Sequence, residues 1–152
     1  MNPTISKKRI KRGKRKSAKN VCKSLIFTGF NPNGVRSKFT TIKKLIMDTC
    51  SAVITMQETK NSQAGQIKLD GYYTYELIRS YDQGGGVAIS ALKNLQPAFV
   101  SDGGEKAEAV TIDIHIKNMA ITITSAYGPQ ESDSIENKAN FWNYMHDEAK
   151  KA

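Results

Sequence analysis

Two short apolar segments restrict this chain most: "KSLIFTGF" at 23–30 and "AVITM" at 52–56, with one stretch of helical periodicity between them. "NPNG" at 31–34 has the residues of a turn. Val35, Phe39, Ile42 and Ile46 then recur at helical spacing, Leu45 and Met47 widen the stripe, and Lys38, Lys43, Lys44 and Asp48 face away from it. Strand, tight turn, helix, strand is a βαβ unit. Its strands are parallel, because a crossover through a helix returns the chain in its original direction. The second strand then turns polar at once, in Gln57, Glu58, Thr59 and Lys60. A carboxylate at the end of a strand built for a core needs a reason.

Beyond "NSQAGQ" the pattern is β-rich. "GYYTYELI" (71–78), "GGGVAISAL" (84–92) and "QPAFVS" (96–101) read as strands. "EAVTIDIHIK" (108–117) places Val110, Ile112, Ile114 and Ile116 on one face and Thr111, Asp113 and His115 on the other. "AITITSAY" (120–127) alternates likewise, and the short link at 117–118 predicts a hairpin. An antiparallel meander therefore follows the βαβ start. Asp133 and Glu136 have capping-pair spacing, and Ile135, Ala139, Trp142, Met145 and Ala149 predict the buried stripe of a final helix. That helix reaches Ala152 without a stop signal, which reads as a piece of a larger domain.

The formal net charge of +9 is not spread over the chain. Residues 1–23 hold ten Lys/Arg and no acid; the rest holds thirteen Lys/Arg against fourteen Asp/Glu. The arm, including Lys7, Lys8, Arg9, Lys11, Arg12, Lys14, Arg15 and Lys16, has too little apolar surface to fold alone. It reads either as a solvated tail or as a nucleic-acid contact and nuclear-import signal. The chain divides into this arm (1–23) and one domain (24–152). It has no apolar run of membrane-spanning length, and no apolar segment of the secretory kind follows the basic stretch. Cys22 and Cys50 are too few for a disulfide framework and lack metal-ligand spacing, so reduced thiols inside the cell are expected.

Polar residues gather at three strand ends: Asn31, Pro32 and Asn33; Gln57 and Glu58; Tyr127, Gly128 and Pro129. Parallel strands bring their carboxyl ends to one edge of a sheet, where α/β proteins place ligands. Amides, a carboxylate and a phenol grouped there suit a hard cation and a phosphate. Each residue also has a plain reading. Asn-Pro and Asn-Gly form ordinary turns, Asn33 can cap the helix, Glu58 beside Lys60 can be a solvated charge, and Tyr127 can be a core aromatic.

"NPNGVRSK", "MQETK" and "AYGP", in this order and context, resemble the endonuclease/exonuclease/phosphatase superfamily, which includes apurinic-site endonucleases and deoxyribonuclease I-like enzymes. "YELIRS", "GGGVAIS" and "AYGPQE" look most like the endonuclease domains of mobile elements, retrotransposons among them. The resemblance implies the N-terminal half of a four-layered α/β sandwich, incomplete in this chain. It makes Glu58 a ligand of Mg²⁺ or Mn²⁺, and puts Asn31 and Asn33 at the metal and phosphate, with Asn33 a second candidate ligand. Tyr127 would bond the scissile phosphate or its surroundings. The implied partner is DNA, with RNA as the alternative, and the implied reaction is phosphodiester hydrolysis; the expected location, the nucleus, comes from the basic arm.

The family also needs an Asp-x-Asn motif and a C-terminal Ser-Asp-His motif, and this sequence has neither. His115 and His146 stand in no matching context. A fragment inactive by itself is expected, with the remainder of a parent polyprotein or domain downstream, and with a bare apolar sheet face where the missing half would pack. Two alternatives remain: a non-catalytic nucleic-acid-binding remnant that uses the basic arm, and a phosphatase of the same fold acting on a small phosphorylated substrate.

Overall fold

The computed structural model describes residues 24–63, 65–79 and 84–151; the basic arm lies outside them. Its elements are β1 (Phe27–Phe30), α1 (Val35–Thr49), β2 (Val53–Gln57), β3 (Tyr72–Leu77), β4 (Val87–Leu92), β5 (Ala98–Asp102), β6 (Glu108–Ile116), β7 (Met119–Tyr127) and α2 (Ile135–Lys151). A short 3₁₀ turn, Lys93–Leu95, links β4 to β5.

The βαβ expectation is met: β1 and β2 are parallel, with Phe27 opposite Val53 and Phe30 opposite Met56. The single meander is not. β4 inserts antiparallel between β2 and β3, giving the sheet order β1-β2-β4-β3, while β5, β6 and β7 form a second antiparallel sheet. The β6–β7 hairpin forms at 117–118, where Lys117 takes a left-handed φ of 55°.

The two sheets face each other. Val53, Val87, Ile89 and Ala91 of the first pack with Val110, Ile112 and Ile114 of the second in one buried cluster. This corrects the expected bare inner face where β2 and β4 meet β6, while Phe27 of β1, in register with Val53, stays 48% exposed. The chain does not lay down one sheet and await the other; its strands divide between both, and the central strands of each pack on the other.

The helices complete four layers. Residues of β2 and β4 that point away from the second sheet, Ile54, Met56 and Ala88, pack with Val35 and Ile42 of α1, and with Phe39 and Ile46 at the margin. β2 and β4 are therefore buried on both faces, which is why 52–56 is apolar without alternation. Met47 does not join the α1 stripe; it is exposed.

On the far side α2 lies over Ala107 and Ala109, using Phe141, Tyr144 and Met145. This corrects the expected stripe. Met145 points inward, but Ile135, Ala139, Trp142 and Ala149 are exposed. The capping residue differs as well. Ser134 Oγ accepts the Asn137 N–H at 3.1 Å, while Asp133 accepts the Gln130 N–H in the preceding turn at 2.6 Å.

Candidate active site

At the carboxyl end of β2 the chain makes a tight turn, with Glu58 at φ 51° and Lys60 at φ 52°. Left-handed backbone is costly for residues with a side chain, so the surroundings must hold it. They do so through the backbone. The carbonyls of Glu58 and Thr59 accept the Gly34 and Val35 N–H groups at the start of α1, at 2.8 and 2.9 Å. On the other side the Thr59 and Lys60 N–H groups donate to Gly86 O and Gly85 O, at 3.0 and 2.8 Å.

The Glu58 side chain is half-buried, and two donors converge on one of its oxygens. Asn31 Nδ2 donates to Oε1 at 3.1 Å and the Tyr127 hydroxyl donates to the same atom at 2.8 Å. Asn31 comes from the end of β1 and Tyr127 from the end of β7, so three strand ends from two sheets meet at one carboxylate. Asn31 also accepts the Asn33 N–H at 3.0 Å through Oδ1, which fixes the amide's orientation.

Electrostatics agree with this geometry. The bond from Tyr127, then that from Asn31, hold the Glu58 carboxyl below its ordinary pKa against the opposing effect of burial, with help from Lys60 and Arg79. The same bond pushes the Tyr127 phenol up, against a bond from Gln130 that lowers it. The pair is thus a charged acceptor and a neutral donor at neutral pH.

All four expected residues fall in this region, with different parts. Glu58, Asn31 and Tyr127 touch through side chains. Asn33 meets them through its backbone N–H; its φ of 48° makes it a turn residue, and the helix cap is Gly34, not Asn33. His115 and His146 are exposed, and His115 lies near the opposite end of β6 from the Glu108–Tyr127 pair. Two further contacts escaped the sequence reading. Gln57 Nε2 donates to Ser125 Oγ at 3.2 Å, and that hydroxyl donates to Met56 O at 3.3 Å, tying β2 to β7 beside the site. Ser125 is a polar residue at a core-facing strand position two before Tyr127, and that was the available signal.

Among the described residues no three or more His, Cys, Asp or Glu side chains gather as a protein-only metal cage. The donor set still fits Mg²⁺ or Mn²⁺, which take one or two carboxylates and keep waters and substrate oxygens. Glu58 is ionised, and both its hydrogen bonds fall on Oε1. An open cleft of about 660 Å³ adjoins Tyr127, lined by Arg79, Glu108, Gln130, Asn137 and Phe141. It lies to one side of Glu58, not over it.

No protein-family profile matches the chain, and no curated protein sequence does. Its fold does match solved structures. An AP endonuclease from Archaeoglobus fulgidus is 23% identical at a TM-score of 0.56, over 81% of this chain and 49% of that one. The endonuclease domain of TRAS1, a telomere-specific non-LTR retrotransposon, is 13% identical at 0.54, over 82% and 52%. A 3'-5' exonuclease from Neisseria meningitidis is 16% identical at 0.54, over 81% and 52%. The chain spans about half the length of the structures it matches. With its α–β–β–α layers, this chain has part of the fold of these structures, the deoxyribonuclease I-like sandwich.

Proposed function

We propose that this chain presents one half of a divalent-metal-dependent phosphodiesterase site for DNA, and that alone it cleaves DNA little or not at all. The observation that carries the reading is the ionised Glu58 carboxylate, delivered by a buried strand and held by Asn31 and Tyr127. A divalent cation there supplies charge neutralisation at a phosphate oxygen. Glu58 provides the anionic ligand. Asn31 and Tyr127 fix its orientation by donating to Oε1, and the Tyr127 hydroxyl, its one proton committed there, borders the cleft from which a phosphate would approach. Asn33 adds an exposed amide at the same edge. Neither an Asp-x-Asn nor a Ser-Asp-His motif is in the sequence, so this chain lacks the groups that the resemblance assigns to orienting the attacking water.

Two measurements on the 152-residue chain test this. Mn²⁺ should broaden the NMR signals of Glu58, Asn31 and Tyr127, and Glu58→Gln should abolish the effect. Cleavage of supercoiled plasmid and of abasic-site duplex with Mg²⁺ should stay near background. Robust cleavage lost on Glu58→Ala would overturn the half-site reading; no Glu58-dependent broadening would overturn the metal reading.

The ten basic residues in 1–23 favour a second reading beside the first, non-specific DNA or RNA binding by the arm together with nuclear import. Such binding should fall steeply with salt, vanish on deletion of 1–23 and ignore Glu58→Ala.

A further inference from the structure

Glu108 opens β6 directly opposite Tyr127 in the β6–β7 register, yet its side chain serves the other sheet. It is 12% exposed. One carboxylate oxygen pairs with the Arg79 guanidinium, and the other accepts the backbone N–H of Gly86. Arg79 follows β3 and Gly86 precedes β4, so both partners stand at the ends of first-sheet strands. A Cβ at Gly85 would collide with Glu108 and Arg79, and one at Gly86 with the Thr59 hydroxyl; the glycines let these groups approach.

The contacts connect. Glu108 holds Gly86, and the carbonyls of Gly86 and Gly85 hold the Thr59 and Lys60 N–H groups. Those two residues continue the turn that begins at Glu58, whose backbone is left-handed at Glu58 and Lys60. Toward α1 the turn is fastened through Gly34 and Val35; toward the second sheet its fastening runs through the glycine pair to Glu108. A largely covered carboxylate is costly unless partnered, and apolar residues of similar volume often hold two sheets together as well or better. What an apolar side chain does not give is a fixed direction for the Gly86 N–H.

We propose that Glu108 is a positioning residue for Glu58: by clamping Gly86 across the sheets, it fixes the turn from which the Glu58 carboxylate meets a divalent cation. The proposal rests on the reading of Glu58 as a metal ligand. Both Glu108 oxygens already accept a donor, from Arg79 and from Gly86, and the role assigned to Glu108 is to hold the turn, not to bind the cation.

The test is residue-resolved amide exchange and Mn²⁺ titration on the full chain, in wild type, Glu108→Ala, Glu108→Gln and Glu108→Asp. In Glu108→Ala, exchange at Thr59 and Lys60 should rise about tenfold or more while Ile89 and Ile112 keep wild-type rates, and Mn²⁺ affinity should fall about tenfold. Glu108→Gln keeps the length and an oxygen acceptor for Gly86, and should restore both. Unchanged exchange at Thr59 and Lys60 overturns the proposal. So does an increase shared equally by Ile89 and Ile112, which marks a general stability role. If Glu108→Ala does not fold, Glu108→Asp replaces it: the shortened acid should loosen Thr59 and Lys60 where Glu108→Gln does not, and the reverse order overturns the proposal. A wild-type chain with no Glu58-dependent Mn²⁺ binding defeats the metal reading separately, and the exchange rates still decide whether Glu108 fixes the turn.

Discussion

The Tyr127 hydroxyl lies 2.8 Å from Glu58 Oε1, joining residues 69 positions apart in the chain and belonging to different sheets. The bond is charge-assisted, and such bonds contribute about 1.5–3 kcal/mol when both groups are shielded from water. Here Glu58 and Tyr127 are only half-buried, so the smaller end applies.

Tyr127→Phe should therefore cost about 1.5 kcal/mol in urea denaturation, and no more, because Asn31 continues to serve the carboxylate. Mn²⁺ broadening at Asn31 should survive in weakened form. A loss as large as that of Glu58→Gln would mean that Tyr127, not Glu58, organises the site.

The two faces of α2 make a second prediction. Phe141 is 6% exposed and Trp142 is 65% exposed, although the larger ring belongs to the stripe that hydrophobicity alone selects. Phe141→Ala should cost about 3–5 kcal/mol, as for other large core deletions. Trp142→Ala should cost about 1 kcal/mol or less, the scale of its edge-on contact with Phe141. Chemical denaturation of both variants decides the matter; equal losses would restore the stripe through Trp142.

The same helix shows where sequence reading reaches its limit. Two faces fit helical spacing: Ile135, Ala139, Trp142 and Ala149, and Phe141, Tyr144, Met145 and Glu148. The second contains an acid, and a hydrophobic pattern rejects it. Glu148 is tolerated inside because Ser101, 47 residues away, and Lys151 donate to it at 2.6 Å, and only the first of these requires the tertiary fold. By contrast Asn31, Glu58 and Tyr127 were legible, since each ends a strand whose apolar pattern is local. The split of the later strands into two sheets was not legible: alternation tells which residues share a face, not which sheet the face belongs to. Glu108 escaped for a similar reason, as its partners are a backbone N–H and an arginine placed by other strands.

Gly86→Ala should be among the most damaging small substitutions. Gly86 has φ 84°, and its added methyl would strike the Thr59 hydroxyl, which is buried. Backbone strain of this kind costs about 1–3 kcal/mol. Removing the hydroxyl as well, in Gly86→Ala with Thr59→Ala, should recover part of the loss by relieving the collision but not the strained φ. Additive losses in the double variant would show that the collision does not occur.

Acid should weaken the attachment of α2 through Glu148. Burial pushes the Glu148 carboxyl up, but the bonds from Lys151 and Ser101 outweigh it, and the net shift is downward. A carboxyl whose folded pKa lies below its unfolded value contributes stability above the unfolded value, about 4.3. That contribution is lost as the pH falls through the folded value. Ser101→Ala removes one donor from a nearly buried acid, and at pH 7 should cost about 1–3 kcal/mol. It also raises the folded pKa toward the ordinary one, so the variant's stability should fall less steeply between pH 5 and pH 3, on the order of the spread of carboxylate values. Urea denaturation of wild type and Ser101→Ala across that range checks the sign. A Ser101→Ala penalty that grows as the pH falls would show that Glu148 is held inside as the neutral acid.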